Sequence, residues 1–108
     1  MTRPDPLPKL DAVVQHPSKL AVTAFLSSCT EAEFKAVRDG LDLSDSALSK
    51  IVTALEAAGY VEVRKGYVGK RPRTWLTLTS TGRRNLAGHL SALQQIADQA
   101  RGRGADLG

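Results

Sequence analysis

The chain has 108 residues, 42% hydrophobic and 24% charged, with a net charge of +4; that suffices for one core and is too little for two. No apolar run reaches the roughly 18 residues of a membrane span, and Met1-Thr2-Arg3-Pro4-Asp5-Pro6 lacks the apolar stretch of a signal peptide, so a cytoplasmic protein without a membrane partner is expected. One cysteine, Cys29, and two distant histidines, His16 and His89, exclude an intrachain disulfide and a structural zinc site; no metal or cofactor is expected.

Prolines at positions 4, 6 and 8 make residues 1–7 an extended, flexible arm. Pro8 opens a short helix over Lys9 to Gln15, with Leu10, Val13 and Val14 on one face, until His16-Pro17 interrupts it. A second helix, Pro17 to about Ser27, repeats Leu20, Ala21, Ala24 and Phe25 at helical spacing. Thr30-Glu31-Ala32-Glu33 matches the capping box, which starts a third helix at Glu31. Phe34, Val37 and Leu41 form its stripe, and Gly40 suits a left-handed terminus. After a tight turn at Leu43, Ser44 caps a fourth helix whose inward face is Leu48, Val52, Leu55 and Ala58, with Gly59 as its stop. Two short helices joined by about three residues form a helix-turn-helix.

Beyond Gly59 the hydrophobic period falls to 2. Val61 and Val63 alternate with Glu62 and Arg64, and Leu76 and Leu78 with Trp75 and Thr77, so two paired strands are expected. Their connection, Gly66 to Pro72, carries the glycines of a turn and a proline unsuited to a central strand, which makes an exposed two-stranded hairpin. Thr79 or Ser80 then caps a long helix to about Gln99, with Leu86, Leu90, Leu93, Ala97 and Ala100 spaced 4, 3, 4 and 3 apart as a heptad seam. A 20-residue helix, about 30 Å long, overhangs so small a body. The seam is therefore read as a homodimer interface of Leu10, Val14, Leu86, Leu90, Leu93 and Ala97. The fold class is α+β, mainly helical: a winged helix-turn-helix over residues 8–100, with a dimerisation helix at 80–100 and a flexible tail at 101–108.

The charges are segregated. Residues 1–62 carry six Lys/Arg and nine Asp/Glu; residues 63–108 carry nine and two, and no acidic residue lies between Glu62 and Asp98. That asymmetry suits a polyanion. Ser46, Ser49, Lys50 and Thr53 form the outward face of the fourth helix, a set of small donors and acceptors suited to base edges and phosphates. Arg64, Lys70, Arg71 and Arg73 supply the hairpin, and Lys70-Arg71-Pro72-Arg73 places three cations at a turn with no partner apparent in sequence. A helix fits the major groove of duplex DNA while a ribbon follows the backbone or minor groove. Cys29 reads as a small packed thiol, His16 and His89 as helix-end and surface residues, and Trp75 as packing under the hairpin or at a subunit contact. With no glycine-rich phosphate loop and no G-x-S-x-G, an enzyme is not expected.

The run Leu43-Ser-Asp-Ser-Ala-Leu-Ser-Lys-Ile-Val-Thr-Ala-Leu-Glu-Ala-Ala-Gly-Tyr-Val61, then Gly69-Lys-Arg-Pro-Arg-Thr74 and Leu78-Thr-Ser-Thr-Gly-Arg83, resembles small MarR/ArsR-type winged-helix transcriptional regulators over residues 9 to about 97. The resemblance implies a homodimeric repressor on a palindromic operator, with Ser46, Ser49 and Lys50 in the recognition helix and Arg71 and Arg73 in the wing as DNA contacts. It supplies no small-molecule effector. The paired Cys or His ligands of the metal-sensing branch are missing here. The alternative is a winged-helix module whose acidic N-terminal half docks a protein. Double-stranded RNA fits poorly, because a helix cannot enter its deep, narrow major groove.

Overall fold

The structure is a computed structural model that describes residues 6–108, so most of the expected arm at residues 1–7 lies outside the described residues. Four helices, α1 (Pro17–Ser27), α2 (Phe34–Gly40), α3 (Asp45–Ala57) and α4 (Ser80–Leu107), surround three strands, β1 (Ala32–Glu33), β2 (Val61–Val68) and β3 (Arg71–Leu78). The strands form an antiparallel sheet in the order β1-β3-β2. Val22, Leu26, Val37, Leu48, Leu55, Val61 and Leu76 meet at its centre, each at most 2% exposed. They come from α1, α2, α3 and one face of the hairpin, so the helix-turn-helix and the sheet share one core.

Two caps fix the helices on either side of the hairpin. Ser44 Oγ accepts the Ala47 N–H at 3.1 Å and starts α3; Thr79 Oγ1 accepts the Gly82 N–H at 3.0 Å and starts α4. Each such cap contributes about 1 kcal/mol. Gly59 ends the α3 turn at φ +80°, a conformation that would strain any other residue.

Several expectations are corrected. Lys9 to Gln15 is not a helix but a single turn at residues 12–15: the Asp11 carboxylate accepts the Val13 and Val14 amides at 2.8 and 2.9 Å, and the residue before Pro17 is pushed out of helical backbone. Ala32–Glu33, expected inside a helix that starts at Glu31, instead pairs with Leu76 and Trp75 of β3, and α2 begins at Phe34 with no side-chain cap. Long-range sheet pairing thus displaces the Thr30–Glu33 box. Gly40 is helical rather than left-handed; a Cβ there would lie 2.8 Å from Phe25 Cε2, so close packing is what it permits. The left-handed residue is Asp42, at φ 54°.

The hairpin is longer and tighter than the sequence suggests. β2 and β3 pair from Val61↔Leu78 out to Val68↔Arg71, leaving a two-residue turn, Gly69-Lys70, in which Gly69 supplies φ +63°. Pro72 lies within β3, opposite Tyr67, beyond the reach of β1, so no ladder bond is lost on that side. α4 continues through the expected tail to Leu107, 28 residues in all, or about 42 Å at 1.5 Å per residue. His89, expected at the surface, is 3% exposed and shares the buried side of α4 with Gly82, Leu86 and Ala92.

Candidate nucleic-acid interface

The inward spacing of Leu48, Val52 and Leu55 buries one side of α3 and leaves Ser46, Ser49, Lys50 and Thr53 exposed on the other. The Thr53 hydroxyl donates to the Ser49 carbonyl at 2.8 Å, which leaves its oxygen to accept. A groove of about 480 Å³ separates this face from the hairpin; Ser49 and Thr53 line one wall, and Val63, Lys65 and Thr74 the other. A shallower depression on the opposite flank is lined by Ser49, Lys50, Thr53, Ala54 and Ala57. Ser49 and Thr53 therefore crest a ridge with a hollow on each side. The outward polar face of α3 and the hairpin address the same space.

Two carboxylates also reach the groove, Asp45 and Glu56. Asp45 is held by Arg38 Nη1 at 2.7 Å, and hydrogen bonds from Arg38 to Asp39 and Asp45 raise the already high pKa of that guanidinium.

Strand alternation divides the hairpin cations. Lys65 shares a face with Val61 and Val63, toward α3; Arg64 and Arg73 lie on the other face with Trp75. There the expectation that the basic turn has no partner fails for Arg73, whose Nε lies 2.9 Å from Glu33 Oε1. Arg64 donates to both oxygens of Glu31, at 2.8 and 3.3 Å, and its guanidinium lies 4.1 Å from the Trp75 ring centroid. Among the described residues Lys50, Lys65, Lys70 and Arg71 make no ion pair. Lys65 and Thr74 line the groove without being among the expected site residues, although the parity of Lys65 with Val61 and Val63 carries the signal.

Behind the interface, Arg83 donates to the Ser27 and Cys29 carbonyls at 3.2 and 3.0 Å, tying α4 to the end of α1. Of the expected dimer residues, Val14 and Leu86 are buried in the chain's own core, at 0% and 4% exposure. Leu10, Leu90 and Leu93 remain exposed at 37%, 49% and 40%, and Ala97 is half-buried. No helix of the described residues is long and apolar enough to cross a membrane.

Residues 19–97 match the sequence profile of a winged helix DNA-binding domain. The chain is similar to a transcriptional regulator homologue from Pyrococcus horikoshii OT3, at 28% identity and a TM-score of 0.76 over 82% of this chain and 87% of that one. It also shares its fold with a protein assigned to the MarR family of transcriptional regulators from Enterococcus faecalis V583, at 21% identity and a TM-score of 0.68, covering 88% and 84% of the two chains. The third similar fold is reduced AbfR bound to DNA, at 22% identity and a TM-score of 0.66, covering 76% of this chain and 59% of that one.

Proposed function

The chain belongs to the winged helix DNA-binding domain family, a family of DNA-binding domains and not of enzymes, and on that premise we propose that it is a homodimeric transcriptional repressor that binds a palindromic operator in duplex DNA. The observation that carries this reading is the shared groove: the exposed polar ridge of α3 and the basic hairpin border one hollow. A major groove about 12 Å wide admits such a ridge. Ser46, Ser49 and Thr53 then reach base edges and phosphates, Lys50 reaches the backbone, and Lys70 and Arg71 at the turn enter the adjacent narrow minor groove.

Leu10, Leu90 and Leu93 support the second part of the proposal, because three large apolar side chains stay exposed on the α4 side of the body. Pairing two copies there doubles the DNA contacts and couples two modest half-site affinities. Occupancy of the operator excludes polymerase, which gives repression.

Selection from a random duplex pool tests the reading, with Lys50→Ala and Arg71→Ala as controls. Enrichment of an inverted repeat with half-sites about one helical turn apart is the expected result. With about four phosphates neutralised per subunit, log affinity falls with log salt at a slope near −7, at about 0.9 per contact. A pool without any enriched motif, or a slope shallower than about −2, overturns it in favour of a protein-docking module.

A further inference from the structure

The two faces of the hairpin present different chemistry, and we infer that the groove face holds the DNA backbone through Lys65, whereas Arg64 and Arg73 are braces, positioned by Glu31 and Glu33, that set the direction of the hairpin. This rests on the DNA-binding reading and assigns residues within it.

Lys65 is the one cation lining the groove beside α3, and it makes no ion pair among the described residues. Lys50 lines the depression on the other flank of the same ridge. A helix seated in the major groove has a phosphate strand on each side, so one free lysine faces each strand. Glu56 on the groove wall repels phosphate at the far end of α3 and leaves Lys65 as the attractive group near the hairpin.

On the opposite face the two arginines nearest Trp75 are already paired, and only Arg71, at the turn, is not. To reach a phosphate, Arg64 would surrender both Glu31 contacts and its seat on Trp75, and Arg73 would surrender Glu33. Nothing is gained in net pairing by such an exchange, since a guanidinium leaves one anion for another and strands a carboxylate beside the DNA. What the pairs do hold is geometry. β1 has two residues and two register pairs with β3, too little to orient a hairpin of two eight-residue strands. Glu33 both ends β1 and immediately precedes α2, so its bond to Arg73 ties the hairpin to the helix-turn-helix. Glu31 does the same for β2 through Arg64.

The test compares the full chain with Lys65→Gln, Arg73→Gln and the exchanged pair Glu33→Arg with Arg73→Glu, on a selected duplex and a random one, across a salt series. Lys65→Gln, an exposed change, makes the salt slope shallower by about 0.9 per subunit, roughly 2 per dimer. Arg73→Gln weakens binding to the selected duplex with no change in slope, and the exchanged pair restores it, because the pairing is what matters. Trp75, the sole tryptophan, keeps its emission when DNA saturates the wild type, whereas Arg64→Gln alters it by uncovering the ring. An unchanged slope in Lys65→Gln, a shallower slope in Arg73→Gln without rescue by the exchange, or wild-type emission that moves on DNA toward that of Arg64→Gln overturns the assignment. If the wild type binds neither duplex at low salt, the DNA reading itself fails and takes this assignment with it.

Discussion

The buried imidazole of His89 accepts the backbone N–H of Asp11 on Nδ1 at 3.0 Å, across 78 positions of sequence. The bond fixes the orientation of the ring against the N-terminal turn. Asp11 extends the connection: its carboxylate takes the Tyr60 hydroxyl at 2.6 Å, and Asn85 of α4 donates to the same hydroxyl at 2.7 Å. The N-terminal turn, the residue that precedes β2 and the first half of α4 are thus joined by one polar cluster.

His89→Ala removes the acceptor of a part-buried amide and leaves a void in the same place. The expected cost is about 2 kcal/mol, from an unsatisfied donor and lost packing. For a domain of this size that lowers Tm by roughly 10 °C. Thermal unfolding followed by circular dichroism measures it, with the exposed Gln95→Ala as the control that leaves Tm within about 2 °C.

Asp11 gives the fold an acid-dependent component. Burial alone pushes its carboxyl up, but the Tyr60 hydroxyl and the Val14 and Val13 amides together outweigh burial and hold it below the usual carboxylate value. A carboxyl lowered in the folded state stabilises the fold above its unfolded value, near 3.9, and that stabilisation is lost as pH falls through the lower folded value. Asp11→Asn therefore flattens the fall in stability below about pH 4 and lowers stability at pH 7. Urea midpoints at pH 7, 5, 4 and 3 check this; parallel curves for wild type and variant would refute it.

Local rules made most of this architecture readable in advance. The Ser44 and Thr79 caps, the Gly59 stop and the alternation along β2 each depend on residues within a few positions, whereas the buried line of α1 runs through Val22, Thr23 and Leu26 and not through the expected Leu20, Ala21, Ala24 and Phe25. What stayed hidden depends on distant partners. Thr30 to Glu33 carries a good capping box, and only β3, more than forty positions away, converts Ala32–Glu33 to a strand and gives Arg73 its carboxylate. The Leu90 and Leu93 positions made the heptad stripe of α4 conspicuous, yet the buried line runs through Gly82, Leu86, His89 and Ala92, because the body lies on that side. A polar residue and two small ones gave no hydrophobic signal. At the candidate site, the exposure of Ser49, Lys50 and Thr53 on α3 was legible from helical spacing, whereas the fates of Arg64 and Arg73 turned on Glu31 and Glu33.

Leu90 and Leu93 are exposed in the single chain, so replacing both with Glu has little effect on its own core. If the α4 face pairs two copies, four buried carboxylates oppose association. Leu90→Glu with Leu93→Glu is expected to be a folded monomer by sedimentation equilibrium, with duplex affinity reduced about 100-fold or more through loss of the linked half-site. A dimer that survives the double change places the interface elsewhere.

Gly82 and Gly88 lie in the same helix and separate close packing from open surface. The Thr79 N–H donates to the Tyr60 carbonyl at 2.9 Å, and a Cβ at Gly82 would lie 2.5 Å from that oxygen and 2.6 Å from Leu78 Cδ1. The carbonyl is held by its hydrogen bond, so the first turn of α4 must lift away from β3. Gly82→Ala is expected to cost about 2–3 kcal/mol as overpacking. At Gly88 nothing lies within 4 Å of the built Cβ. Gly88→Ala there gains helix propensity, about 1 kcal/mol, and raises Tm. Opposite shifts in the two melting curves are the expected result; a fall in Tm for Gly88→Ala would mean that this side of α4 is covered in solution.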